Sequence, residues 1–202
     1  MRTKDEKLHH RRKAEILDAA TACFSEKGIR QTTMQEICKR AKLSPGALYR
    51  YYSSKDDIII AMAALEKTSN DQLISYLKSQ KNVLKALRQA LPDIVKEISD
   101  PSLASLTLEI ATEAARNPVV AKPFLENEEK FKTELVALLL SGQESGFVEK
   151  SIDISAFIHL FMHLLDGICT SHAFPSPLSQ KASTKSLDHM IYRALSPISQ
   201  LQ

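Results

Sequence analysis

The chain has 202 residues, 44% hydrophobic and 25% charged, with five Gly, eight Pro, no Trp and a formal charge of +3. That length supports a sizeable core without disulfide staples, and near-average apolar and charged fractions exclude intrinsic disorder. So few Gly and Pro disfavour a turn-rich β architecture, and no run of 18 apolar residues suggests a membrane span.

The first residues, MRTKDEKLHHRRK, carry no apolar stretch of the kind a signal peptide needs, and residues 1–10 read as a flexible basic arm. From Arg11 to Lys27 the positions Ile16, Leu17, Ala20, Cys23 and Phe24 keep helical period, and Gly28 stands where a helix ends. Thr33 and Glu36 form an S/T-x-x-E capping box opening a short helix to Ala41. Ser44 followed by Pro45 opens another, Pro45 to Tyr51. Ser54 with Asp57 caps a longer helix to about Lys78, its N-terminus favoured by Asp56 and Asp57. Further helices are expected at 82–99, 102–116, 120–142, 153–173 and 182–195, with Pro92 kinking or splitting the first of these. The fold class is all-α: an N-terminal three-helix domain, 1–54, and a larger helical domain, 55–202.

Charge divides along the same line. Residues 1–55 hold 13 basic and 6 acidic side chains, a balance of +7, and the rest carries −4. A basic head on an acidic body points to a polyanion partner, double-stranded DNA above all. Two short helices separated by Lys42-Leu43-Ser44 describe a helix-turn-helix, whose second helix enters a major groove by its N-terminal residues. Ser44, Pro45, Gly46 and Ala47 are small enough there to let the backbone approach base edges. Arg50, one turn on, can reach guanine or a phosphate. Tyr49, Tyr51 and Thr33 offer hydroxyls to phosphates, Lys55 opens the long helix beside them, and Tyr52 points inward.

The segments Phe24-Ser25-Glu26-Lys27-Gly28, Thr32 to Ile37, Leu43 to Tyr52 and Lys55-Asp56 together resemble the DNA-binding domain of TetR/AcrR-type repressors, over about residues 11–60. The resemblance implies a homodimeric, all-helical repressor whose C-terminal ligand-binding domain sets the spacing of two reading heads. It assigns phosphate contacts to Thr33, Tyr49, Tyr51 and Lys55, and base-facing positions to Gln35, Ser44, Pro45, Gly46, Ala47 and Arg50. Where the family usually has Ala-Gly, this chain has Ala41-Lys42, so a left-handed backbone there would cost a lysine about 1 kcal/mol. The histidine the family often carries at the position of Tyr51 is also absent.

In the body, the segment near 153–173 is apolar on several faces (Ile154, Ile158, Phe161, Leu164 and Ile168 among others), which marks a helix buried on several sides. It is expected to pair with the helix near 182–195 in a four-helix homodimer interface, as the resemblance also implies. His159, His163 and Asp166 share a face and could line a pocket or an interface. HLFMH lacks the glutamate of HExxH, and one helix makes an incomplete zinc site, so no metal or other cofactor is expected. Glu109 and Glu113 share a face and, in an apolar pocket, would select cationic lipophiles. Phe131, Phe157 and Phe161 complete the candidate lining. Cys23, Cys38 and Cys169 form no CxxC pair and fit a reducing cytoplasm.

Together with the resemblance, these features imply a cytoplasmic repressor, without enzymatic activity, released from a palindromic operator by a small lipophilic or lipophilic cationic effector, with control of drug efflux the common expectation for such proteins. The alternatives are a constitutive DNA binder without a ligand, and a small helical enzyme, for which no glycine loop or nucleophile elbow is present. A membrane anchor in Arg2–Lys13 would need more apolar surface than that stretch carries.

Overall fold

The apolar stripe from Ile16 to Phe24 organises the N-terminal unit. Ile16, Ala20 and Phe24 are fully buried, and around them the chain winds only helices. The computed structural model describes residues 2–174, with side chains from Glu6 onward. Its helices are α1 (Arg2–Lys27), α2 (Met34–Arg40), α3 (Pro45–Tyr49), α4 (Lys55–Ser79), α5 (Val83–Ile98), α6 (Pro101–Ala114), α7 (Pro118–Glu144) and α8 (Ile154–Ala173). The helix expected at 182–195 lies outside the described residues.

Three expectations need correction. Residues 2–10 are not an arm: they continue α1 without a break. Arg11 and Arg12 both reach Glu15, at 3.4 and 2.6 Å, and such i,i+4 and i,i+3 pairs support an exposed helix even where no core lies beneath it. Of the kink or split expected at Pro92, the split is absent: α5 runs through it, with Pro92 on the exposed side while Leu87, Leu91 and Val95 stay buried. The third correction concerns the boundary placed between residues 54 and 55. Among the described residues, the chain forms one compact unit from residues 2–66 with Ser105–Leu125, and another from Lys67–Ala104 with residues 126–174. The first part of α4 thus belongs with the head, because Ile58 and Ile59 are fully buried while Ala64 to Ser69 are exposed.

In the second unit the core joins Leu77 of α4, Leu87, Leu91 and Val95 of α5, Leu135 and Leu139 of α7 and Ile158 of α8, with Phe131 and Phe157 at its margin. Gly142 lets the end of α7 close on Val148, whose Cγ2 would lie 2.8 Å from any added Cβ. By length and composition α8 could cross a membrane, but its Ile154, Ile158, Phe161 and Ile168 are buried in this core, which makes it one wall of the unit.

Candidate nucleic-acid interface

The reading head is built on a tight turn after α1. Gly28 takes φ +82°, the left-handed conformation of a helix-ending glycine, and its amide donates to Phe24 O at 2.8 Å. The Thr32 hydroxyl is buried and reaches the carbonyls of Gly28 (2.8 Å) and Cys23 (3.2 Å), so the turn closes with its polar groups satisfied. Two charged side chains then grip its middle. Lys55 Nζ donates to Ile29 O at 2.5 Å and Arg30 O at 3.3 Å, and Glu109 Oε2 of α6 accepts from the Ile29 amide at 2.8 Å. Nothing local in the sequence signals that last contact, which spans 80 residues.

Thr33 caps α2 as the spacing requires: its hydroxyl accepts from the Glu36 amide at 3.2 Å, and Glu36 Oε2 accepts from the Thr33 amide at 2.8 Å. Two ion pairs then tie α2 to α1. Lys27 meets Glu36, and Arg40 grips Glu26 through two bonds of 2.6 Å. The Lys27 ammonium, then the Thr33 amide and hydroxyl, hold the Glu36 carboxyl at about 2, well below its usual 4.5. A depressed carboxyl stabilises the fold above its unfolded value and loses that contribution as pH falls through its folded one. The melting temperature of the native protein should therefore exceed that of Glu36→Gln at pH 5, and the difference should vanish towards pH 2. Thermal melts across that range check it; a difference independent of pH would remove the ionised carboxylate from the account.

The turn between α2 and α3 places Lys42 at φ +53°, the left-handed geometry foreseen for that position, with the Leu43 amide returning to Cys38 O at 3.0 Å. Ser44 caps α3 by accepting from the Ala47 amide, Pro45 occupies its first turn, and Leu48 is fully buried beneath it. α3 is shorter than expected: Tyr51 donates to Leu48 O at 2.8 Å, tightening the end into an i to i−3 turn. Ser54 and Asp57 cap α4 reciprocally, and the Asp57 carboxyl is lowered first by the Ser53 hydroxyl.

One surface results. Gln35, Ser44, Pro45, Gly46, Tyr49 and Arg50 are exposed, Ala47 and Tyr51 half-buried, and Tyr52 is core. Thr33 is exposed, with its hydroxyl engaged in the capping box, and Lys55 is half-buried with its ammonium on the turn carbonyls. That lysine braces the head, a role its position in the sequence did not announce.

The candidate ligand residues do not converge in the same way. Phe157 and Phe161 stack with centroids 6.0 Å apart and join the core, where Phe131 packs at the margin. Phe131 also lines a shallow polar cleft between α4 and α7, shared with Lys67, Asp71, Asn127, Lys130 and Glu134. Lys130 and Lys67 hold the Asp71 carboxyl at about 2. His163 and Asp166 lie on the exposed side of α8, the imidazole Nδ1 bonded to His159 O at 2.7 Å; desolvation, then Glu128, raises the Asp166 carboxyl. Glu109 and Glu113 are corrected: they hold the reading head, at the Ile29 amide and at Arg30 (3.8 Å), because α6 packs that face on the turn. Among the described residues, no group of three or more His, Cys, Asp or Glu is placed to hold a metal.

A capped, exposed recognition helix on a braced three-helix head defines a helix-turn-helix DNA-binding protein. The family model described as bacterial regulatory proteins, tetR family, matches residues 16–62. The HTH-type transcriptional regulator UidR of Escherichia coli K12 is 30% identical over 165 residues, spanning 76% of this chain and 77% of UidR. Among solved structures, Salmonella enterica GusR superposes with a TM-score of 0.69 at 24% identity, covering 91% of this chain and 94% of GusR. FadR of Bacillus subtilis, in complex with stearoyl-CoA, gives 0.75 at 21% identity, covering 92% and 98%. The chain belongs to the TetR family of transcriptional regulators.

Proposed function

We propose that this regulator is a homodimeric repressor that leaves a palindromic operator when a small lipophilic molecule occupies its helical body. The observation that carries DNA reading is the α3 surface, with Gly46, Tyr49 and Arg50 exposed together above a buried Leu48. Thr33, Tyr49 and Tyr51 serve phosphates in this reading, while Gln35, Ser44, Pro45, Gly46, Ala47 and Arg50 face bases. For the dimer, α8 leaves Leu160 71% exposed and Leu164 40% exposed on the side opposite its core residues. Apolar side chains bared in a row suit a second copy.

The effector reading changes with the placement of Glu109 and Glu113. Their carboxylates face the head, so they give no reason for a cationic effector. A lipophilic effector is supported by the stearoyl-CoA in the FadR neighbour. α6 is the coupling element: an effector that favours a state with α6 displaced withdraws Glu109 from the Ile29 turn, and differential affinity of 1–3 kcal/mol suffices to shift the population. Such a protein works on chromosomal DNA, in the cytoplasm, without a membrane or cofactor. Sequencing genomic fragments retained by the purified protein tests this directly. A palindromic motif upstream of a few genes, lost on adding their substrates, is the expected result; fragments without sequence preference would overturn it.

A further inference from the structure

We propose that the first turns of α1 form a second DNA-contacting surface, in which His9 and His10 bring proton-dependent positive charge to the phosphates beside Tyr51. The proposal rests on Tyr51 facing the DNA backbone, and deepens that reading by adding contacts from another helix.

Three observations carry it. First, α1 is continuous from Arg2 to Lys27, so residues 7–13 extend a helix anchored by Ile16, Ala20 and Phe24. Six of those seven residues are Lys, Arg or His. Second, the His9 ring packs against Tyr51, centroids 5.0 Å apart and planes tilted by 32°, and His10 follows at 6.3 Å edge-on to His9. Third, both imidazoles are exposed, whereas Tyr51 is half-buried at the end of the recognition segment. A side chain beside Tyr51 stands within reach of whatever phosphate the tyrosine touches.

The charged groups around His9 favour an anion as the partner. On its own helix, Glu6 lies one turn before it and Arg12 and Lys13 one turn after. Glu15, the next acid, is taken up by Arg11 and Arg12. From the segment packed against it come Tyr51 and the adjoining Arg50, which is exposed. Cations thus outnumber acids along this stretch of surface, which favours an anionic partner. A DNA phosphate is such a partner. An imidazole changes charge between pH 5 and 8, and a partner that binds its charged form better takes up a proton on association. Affinity for DNA must then rise as pH falls. Each cation placed on the backbone also steepens the salt dependence, by about 0.9 in the log–log slope.

The test uses the full chain and a fluorescent 30-bp duplex of random sequence, so that no operator need be known. Anisotropy titrations run at pH 5.5 and 8.0 over a salt series, for the native protein, for His9→Gln with His10→Gln, and for His9→Lys with His10→Lys. The native protein should bind about tenfold tighter at pH 5.5, a one-unit rise in one imidazole pKa on binding. The Gln variant should lose that dependence and, at pH 5.5, reduce the salt slope by about one. The Lys variant should bind tightly at both pH values, which a merely structural role for the rings would not produce. Equal pH dependence in the native and Gln proteins would overturn the proposal, as would a Lys variant that binds no better than the Gln variant at pH 8.0.

Discussion

Gly46→Leu leaves the protein folded and lowers its affinity for selected DNA at least tenfold. Gly46 lies in the exposed first turn of α3, and a Cβ built there meets nothing within 4 Å. The free protein therefore accommodates a side chain at once, and replacing a helical glycine gains up to about 1 kcal/mol of propensity. The groove does not accommodate it. With Ser44, Pro45 and Ala47 small and exposed or half-exposed around it, the backbone of α3 can approach base edges, and a leucine would hold it off. Losing one good base contact costs about 1–3 kcal/mol, and each 1.4 kcal/mol is a factor of ten in affinity. Melting should show an unchanged or slightly raised midpoint, while anisotropy should show the loss on motif-bearing DNA and a smaller one on random duplex, where phosphates dominate. A variant that still binds the selected motif as well as the native protein would take α3 out of the groove.

The elements that could be read in advance are those whose cause is local. The Thr33–Glu36 and Ser54–Asp57 boxes and the Ser44-Pro45 start all sit within four residues of what determines them, and the structure has them in place. The head was legible for that reason. The start of α1 was not, because residues 6–11 are exposed and bury no apolar face, and a charged exposed stretch reads equally as helix or arm. Glu109 and Glu113 show the harder limit. Their shared face was evident from spacing, but which surface that face meets depends on packing across 80 residues, and the carboxylates found a backbone amide and an arginine instead of a pocket. His163 and Asp166 were placed on one face correctly as geometry, yet that face is the bare side of α8.

The grip on the Ile29 turn makes the second large effect, and it can be isolated by a double-mutant cycle. Gly28→Ala carries two costs. A left-handed alanine costs about 1–2 kcal/mol. Its Cβ would also stand 2.9 Å from Glu109 Oε2, the oxygen that accepts the Ile29 amide, so the carboxylate must withdraw. Glu109→Ala removes the same bond without touching the turn, and a hydrogen bond to a charged group contributes about 1.5–3 kcal/mol. Both single changes thus break one contact. Together they break it only once, and the double variant should be less destabilised than the sum by about the value of that bond. Glu109→Gln should fall between, since a neutral amide oxygen can still accept from Ile29. Denaturant titrations of the four proteins give the coupling. If the costs simply add, Gly28 and Glu109 act independently, and α6 does not hold the reading head through this turn. If they couple as expected, Gly28→Ala should also alter the DNA affinity and the effector response together, since both depend on where α6 holds the start of the helix-turn-helix.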